Sequence, residues 1–235
     1  MTKIAVGSAS DADKVNCTQA LTVEFICVFL FVFAGLGSAM AADQLGAGSS
    51  LTGLFFVATA NTFVVAVMIS TGMRISDGHL NPAVTLGLLA GGHITMARSS
   101  LYLIDQTLAS ASACSLLSYL TTGLTTPHVN TLASGMDFIQ GVIMEIILIL
   151  SMIFIVYAAI VDPKKGFLNG PGPLLTGLVV GASIMAGGPF SGAYLNPARY
   201  FGPTLISGNW TDHWVYWAGP LISGGLAGLF TRISS

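Results

Sequence analysis

Charge is the scarcest property of this chain. Only 8% of its 235 residues are charged, eight Lys or Arg and ten Asp or Glu. A soluble domain carries about a quarter, so a water-facing globular surface is excluded. Cysteine is nearly as sparse. Cys17, Cys27 and Cys114 form an odd set without metal-ligand spacing, which argues against both a disulfide framework and a metal centre. There is no basic stripe with interleaved aromatics, so nucleic acid is not an expected partner. No nucleophile–base set or metal cluster is visible, which makes an enzyme the least favoured class and leaves no cofactor to expect. Residues 1–19 lack the cationic start and apolar core of a cleavable signal.

What the chain has instead is apolar length. Hydrophobic residues make up 53% of it and fall in long stretches, among them Phe25 to Ala42, Leu51 to Thr71 and Ile139 to Ile160. About 20 mostly apolar residues cross the hydrocarbon core of a bilayer. Six spans are expected, at 20–41, 51–72, 99–120, 139–160, 171–188 and 213–231. They account for nearly the whole chain, so residues 1–235 read as one all-α membrane domain. With both termini cytoplasmic, every Lys and Arg except Arg199 falls on or near the cytoplasmic side, as the positive-inside rule requires.

Two segments, 73–98 and 189–212, are too long for turns and too short for spans. Each runs through small residues into Asn-Pro-Ala and then into about ten residues able to form a half-length helix. Ser76-Asp77-Gly78-His79-Leu80-Asn81-Pro82-Ala83 resembles Ser191-Gly192-Ala193-Tyr194-Leu195-Asn196-Pro197-Ala198, and Glu24 in the first span is echoed by Glu145 in the fourth. Three spans in each half force a first repeat (20–120) and a second (139–231) into opposite orientations. Inverted repeats with paired broken segments point to a conduction or binding site between them.

The chemistry of those segments is specific. Pro82 and Pro197 fit the first helical turn, where a missing N–H costs nothing. Asn81 and Asn196 then cap the short helices, with side-chain amides available to a passing water and positive helix ends aimed at the midplane. That field repels cations and orients water against proton relay. Arg199, one turn beyond Asn196, reads as a pore constriction; the alternative is an arginine snorkelling to the interface. Glu24 and Glu145 read as acceptors for backbone N–H groups of the broken segments, with a proton-coupled site as the alternative. Asp105 has no echo and no assigned role. Gly35, Gly87, Gly177, Gly181, Gly224 and Gly225 are expected to permit close helix packing. Trp210, Trp214, Tyr216 and Trp217 are expected in an interfacial belt. The glycosylation patterns at Asn16 and Asn209 are expected to be unused.

Gly-His-Leu-Asn-Pro-Ala-Val at 78–84, Asn-Pro-Ala-Arg at 196–199 and the paired glutamates resemble the major intrinsic protein family, the aquaporins, over residues 20–231. Phe31-Val32-Phe33-Ala34-Gly35 and His213-Trp214-Val215-Tyr216-Trp217 resemble its plant tonoplast branch. The resemblance implies six transmembrane helices with two re-entrant half-helices, passage of water and small neutral solutes, contact with membrane lipid, a homotetramer and the vacuolar membrane. It implies an outer filter of Asn61, Ile184, Ala193 and Arg199. Asn61 stands where vacuolar relatives usually have His, and Ala193 where Gly is common. His128, in the third connection, is a candidate extension of that filter or an ordinary loop residue. Tyr200 stands beside Arg199 where Ser is common and is a candidate influence on solute access. The competing functions are a channel chiefly for glycerol, urea or ammonia, a coupled transporter using the glutamates, and a closed structural membrane protein.

Overall fold

A computed structural model describes residues 15–121, 131–161 and 170–234. His128 lies outside these described residues. Every regular element described is helical: α1 (Val15–Gln44), α2 (Leu51–Gly72), α3 (Pro82–Gly91), α4 (Met96–Leu120), α5 (Phe138–Val156), α6 (Gly172–Ser191), α7 (Pro197–Ser207) and α8 (Val215–Ser234). A π-helical turn, Tyr157–Val161, extends α5.

Six of these are long and two are short, as the hydropathy pattern predicts. Four long helices are apolar and long enough to cross a membrane on composition alone: Cys17–Gln44, Leu51–Gly72, Phe138–Val161 and Gly172–Ser191. α4, at 25 residues, is as long but more polar, and α8, at 20 residues, is the sixth long helix. α4 carries Asp105, Gln106 and several serines, whose side chains turn partly inward or bond to the preceding helical turn. Helix α6 continues through Pro189 to Ser191, three residues beyond the expected end.

The helices are inside-out by soluble standards. Outward faces carry large apolar residues such as Phe55, Phe63 and Val67 on α2 and Ile143, Ile147 and Phe154 on α5. The buried faces are smaller and more polar, with Ala58, Asn61 and Thr62 on α2 and Thr176, Gly177 and Gly181 on α6. In lipid the outward residues gain nothing by turning inward, so close van der Waals packing and internal hydrogen bonds hold the bundle.

Glycine allows that packing. A Cβ on Gly177 would strike the carbonyl of Thr62, and one on Gly181 the Thr62 hydroxyl, so α2 and α6 touch nearly backbone to backbone. Gly87, Gly224 and Gly228 do the same where α3 crosses α8. Gly225 corrects the expectation, because nothing lies within 4 Å of a Cβ built there. Gly35 bears it out, since a Cβ there would meet the Asn61 side chain of α2. The aromatic belt needs one correction. Trp210 and Trp214 are exposed, but Tyr216 is fully buried and donates its hydroxyl to Ser191 O at 2.9 Å.

Candidate pore site

Each broken segment is a short helix started by Asn-Pro. Asn81 Oδ1 accepts from Ala83 N at 2.9 Å, and Asn196 Oδ1 accepts from Ala198 N at 2.9 Å and Arg199 N at 3.2 Å. Both prolines occupy the first helical turn, where no N–H is needed. Gly92 and Gly208 end the helices in the left-handed conformation. At ten and eleven residues they are about 15 Å long, half the hydrocarbon thickness.

The two N-termini meet. Asn81 Nδ2 donates to Leu195 O at 2.8 Å, and Asn196 Nδ2 donates to Leu80 O at 2.7 Å. These carbonyls are in reach because Leu80 and Leu195 sit at φ 55° and 56°, a left-handed conformation that is uncommon for leucine. Such geometry costs about 1–3 kcal/mol per residue and persists only where the surroundings over-determine it.

The surroundings are two buried carboxylates. Glu24 accepts from Ser76 Oγ at 2.8 Å, Leu80 N at 2.5 Å and Gln106 Nε2 at 2.9 Å. Glu145 accepts from Ser191 Oγ at 2.7 Å, Tyr194 N at 3.2 Å and Leu195 N at 2.9 Å. Both are fully buried and neither lines either of the two cavities described below, so they clamp the segments that hold the asparagines. A tyrosine completes each clamp: Tyr102 Oη donates to Ser76 O and Tyr216 Oη to Ser191 O, both at 2.9 Å. Tyr216 acts here instead of in the expected interfacial belt, and neither Tyr102, in the corresponding span, nor Gln106 stood out from the sequence. Ser76 and Ser191 head the two matching octapeptides and were therefore visible.

Two cavities approach these segments from opposite ends of the bundle. The first, about 350 Å³, reaches His93 and Ile160 at one end and Asn81, Leu195 and Asn196 at its depth. The second, about 950 Å³, is lined by Ser49, Ser50, Leu54, Val57 and Ile184 among others. Among the described residues only Tyr194 and Arg199 border both. Arg199 is 6% exposed, and its Nη1 donates to Ala193 O at 3.1 Å and Tyr194 O at 3.2 Å. Its guanidinium carbon stands 5.0 Å from the Tyr194 ring centroid, and its Nε has no protein partner. The cation is therefore fixed at the neck by backbone carbonyls and a ring face, not by an ion pair, and does not snorkel.

The other expected filter residues divide. Ile184 lines the second cavity. Ala193, at φ 47°, is fully buried and contributes its carbonyl to Arg199. Asn61 is also fully buried and lines neither cavity; its Nδ2 donates to Val57 O at 2.8 Å. Tyr200 lies behind the neck, stacked on Tyr216 at 3.8 Å between ring centroids. Asp105 is half-buried, with Oδ2 unpaired. Among the described residues no cluster of His, Cys, Asp or Glu is placed to hold a metal.

Paired capped half-helices inside a bundle of long helices define a class, and comparison with known proteins agrees. The Major intrinsic protein family pattern matches residues 11–231, so the chain belongs to that family, the aquaporins: multi-pass membrane channels, not enzymes. It is 68% identical to aquaporin TIP4-1 of Arabidopsis thaliana over 97% of this chain and 90% of that one. It is 54% identical to aquaporin TIP4-4 of Zea mays over 97% and 91%. The crystal structure of the aquaglyceroporin from Plasmodium falciparum superposes with a TM-score of 0.72 at 21% identity, covering 92% of this chain and 94% of that one, a likeness of fold.

Proposed function

We propose that the chain is a passive water pore of the tonoplast whose path runs from the second cavity, past Tyr194 and Arg199, into the first cavity at Asn81 and Asn196. The observation that carries this reading is the reciprocal asparagine bond. Each side-chain amide has two N–H donors, and one is spent on the opposite leucine carbonyl. The other is left for water where both asparagines line the first cavity. Two helix N-termini add positive potential at that point, so a water turns its oxygen to the amides. It then cannot both donate and accept along one chain, and proton relay is interrupted. Arg199 adds a fixed cation that repels other cations.

Asn81, Pro82, Ala83, Asn196, Pro197 and Ala198 form the centre of the pore in this reading. Ile184, Ala193, Arg199 and the Asn61 position form its filter, and Glu24 and Glu145 are clamps. Residues 20–120 and 139–231 act as inverted repeats, each supplying one glutamate, one serine and one tyrosine to its own segment. The large apolar faces suit lipid and neighbouring copies in a homotetramer with one pore per subunit.

A second reading, a channel that also passes urea or ammonia, is favoured by the neck itself. None of the four filter positions is aromatic, and Val57 and Ile184 give the second cavity aliphatic walls.

Stopped-flow light scattering of purified protein in sealed liposomes tests both. Rapid shrinkage under an impermeant osmolyte, with low activation energy, is expected. Parallel challenges with urea, glycerol and ammonia grade the opening. Flux no faster than empty liposomes, from correctly folded protein, would overturn the pore and leave a closed structural protein.

A further inference from the structure

We infer that Gly35 is a positioning residue for the filter: by lacking a Cβ it opens a niche in which the Asn61 carboxamide lies withdrawn from the path, and so it sets which solutes pass. The inference rests on the pore reading above.

Asn61 occupies the path-facing stripe of α2. Val57, one turn before it, lines the second cavity, and Val65, one turn after it, lines the first. A side chain between them stands at the level where the two cavities approach each other, which is also the level of Arg199 and Tyr194. Yet Asn61 lines neither cavity and is 0% exposed.

Its direction explains why. A Cβ built on Gly35 of α1 would meet Asn61 Oδ1 at 2.6 Å, Cγ at 3.4 Å and Nδ2 at 3.5 Å. The carboxamide therefore occupies the space a Cβ on Gly35 would need, its Oδ1 nearest, with Nδ2 anchored to Val57 O at 2.8 Å. Its Oδ1 is buried and has no hydrogen-bond partner. An amide oxygen without a donor is costly inside a protein. It therefore has little to hold it in the niche beyond the space that Gly35 leaves and the single bond made by Nδ2.

A methyl at position 35 fills that space. The carboxamide must then turn away from α1, toward the conduction path that Val57 and Val65 flank. The aperture narrows and becomes more polar. Water, small and able to bond to the amide, tolerates this better than urea.

The test is the ratio of urea to water permeability in liposomes, read on folded protein for wild type, Gly35→Ala, Asn61→Gln and the double variant Gly35→Ala/Asn61→Ala. Gly35→Ala should lower the ratio several-fold. Asn61→Gln should lower it similarly without touching α1, because the longer amide does not fit the niche. The double variant should recover the lost urea flux, since no carboxamide remains to be displaced. General damage by the added methyl predicts instead that water and urea fall together and that the double variant is not rescued. That outcome, or an unchanged ratio in Asn61→Gln, overturns the inference. If Gly35→Ala does not fold, Asn61→Gln alone decides. A wild-type protein that conducts no water refutes the pore reading instead, which keeps the two failures apart.

Discussion

Asn81 and Leu195 belong to opposite halves of the chain and are joined by a 2.8 Å hydrogen bond from the amide of one to the carbonyl of the other. With its counterpart from Asn196 to Leu80, it closes the two half-helices into one unit.

Replacing Asn196 with Ala removes a cap acceptor for two N–H groups and the donor to Leu80 O. Loss of a cap costs about 1 kcal/mol, and the orphaned carbonyl adds to it. Lower thermal stability in detergent and a several-fold fall in water permeability are expected. Asn196→Asp keeps the acceptor but loses both donors, so it should recover part of the stability and little of the flux.

Arg199→Val removes the fixed cation at the neck and leaves the carbonyls of Ala193 and Tyr194 to the path. Urea permeability should rise several-fold, and a cation or proton leak should appear in a pH-dye assay on the same vesicles. Flux of both kinds equal to wild type would move the constriction elsewhere.

Glu24→Gln and Glu145→Gln separate a clamp from a coupling site. An amide in place of the carboxylate turns a donor toward Ser76 or Ser191 and the backbone N–H groups, leaving one or more buried donors unpaired. That costs about 1–3 kcal/mol each. Melting temperatures should fall, and water flux in both wild type and variants should be indifferent to a protonophore. Protonophore-sensitive, saturable flux would mark a coupled transporter.

Neighbouring glycines on α8 should respond oppositely. Gly224→Ala drives a Cβ into the carbonyl of Ala83 at the start of α3, where the obstacle is backbone and cannot swing aside. Overpacking of this kind costs about 1–3 kcal/mol. Gly225→Ala meets nothing within 4 Å and should match or exceed wild-type stability. Thermal unfolding of both in one detergent checks the contrast.

Local chemistry made much of this readable in advance. Asn-Pro starts a helix wherever it stands, because cap and ring act within one turn, so both half-helices begin where expected. The glutamates were legible as clamps because an ionised side chain in an apolar run must find donors, and the broken segments were the nearest supply. Ser76 and Ser191 were visible only as echoes. Tyr102 and Tyr216 were not, since a tyrosine on a span reads equally well as an interfacial anchor.

The sequence by itself determined that the chain spans a membrane, that it carries two capped half-helices in matching places, and which family it belongs to. These follow from composition, from short-range capping and from two repeated octapeptides. Tertiary structure alone decided that Tyr216 is buried, that Gly225 faces open space, and that Asn61 lies over Gly35 instead of lining a cavity. Each depends on which side of a helix meets which neighbour at what depth. In a helix that is apolar all round, periodicity does not distinguish a face toward lipid from one toward another helix, so only the packed bundle fixes the direction of those side chains.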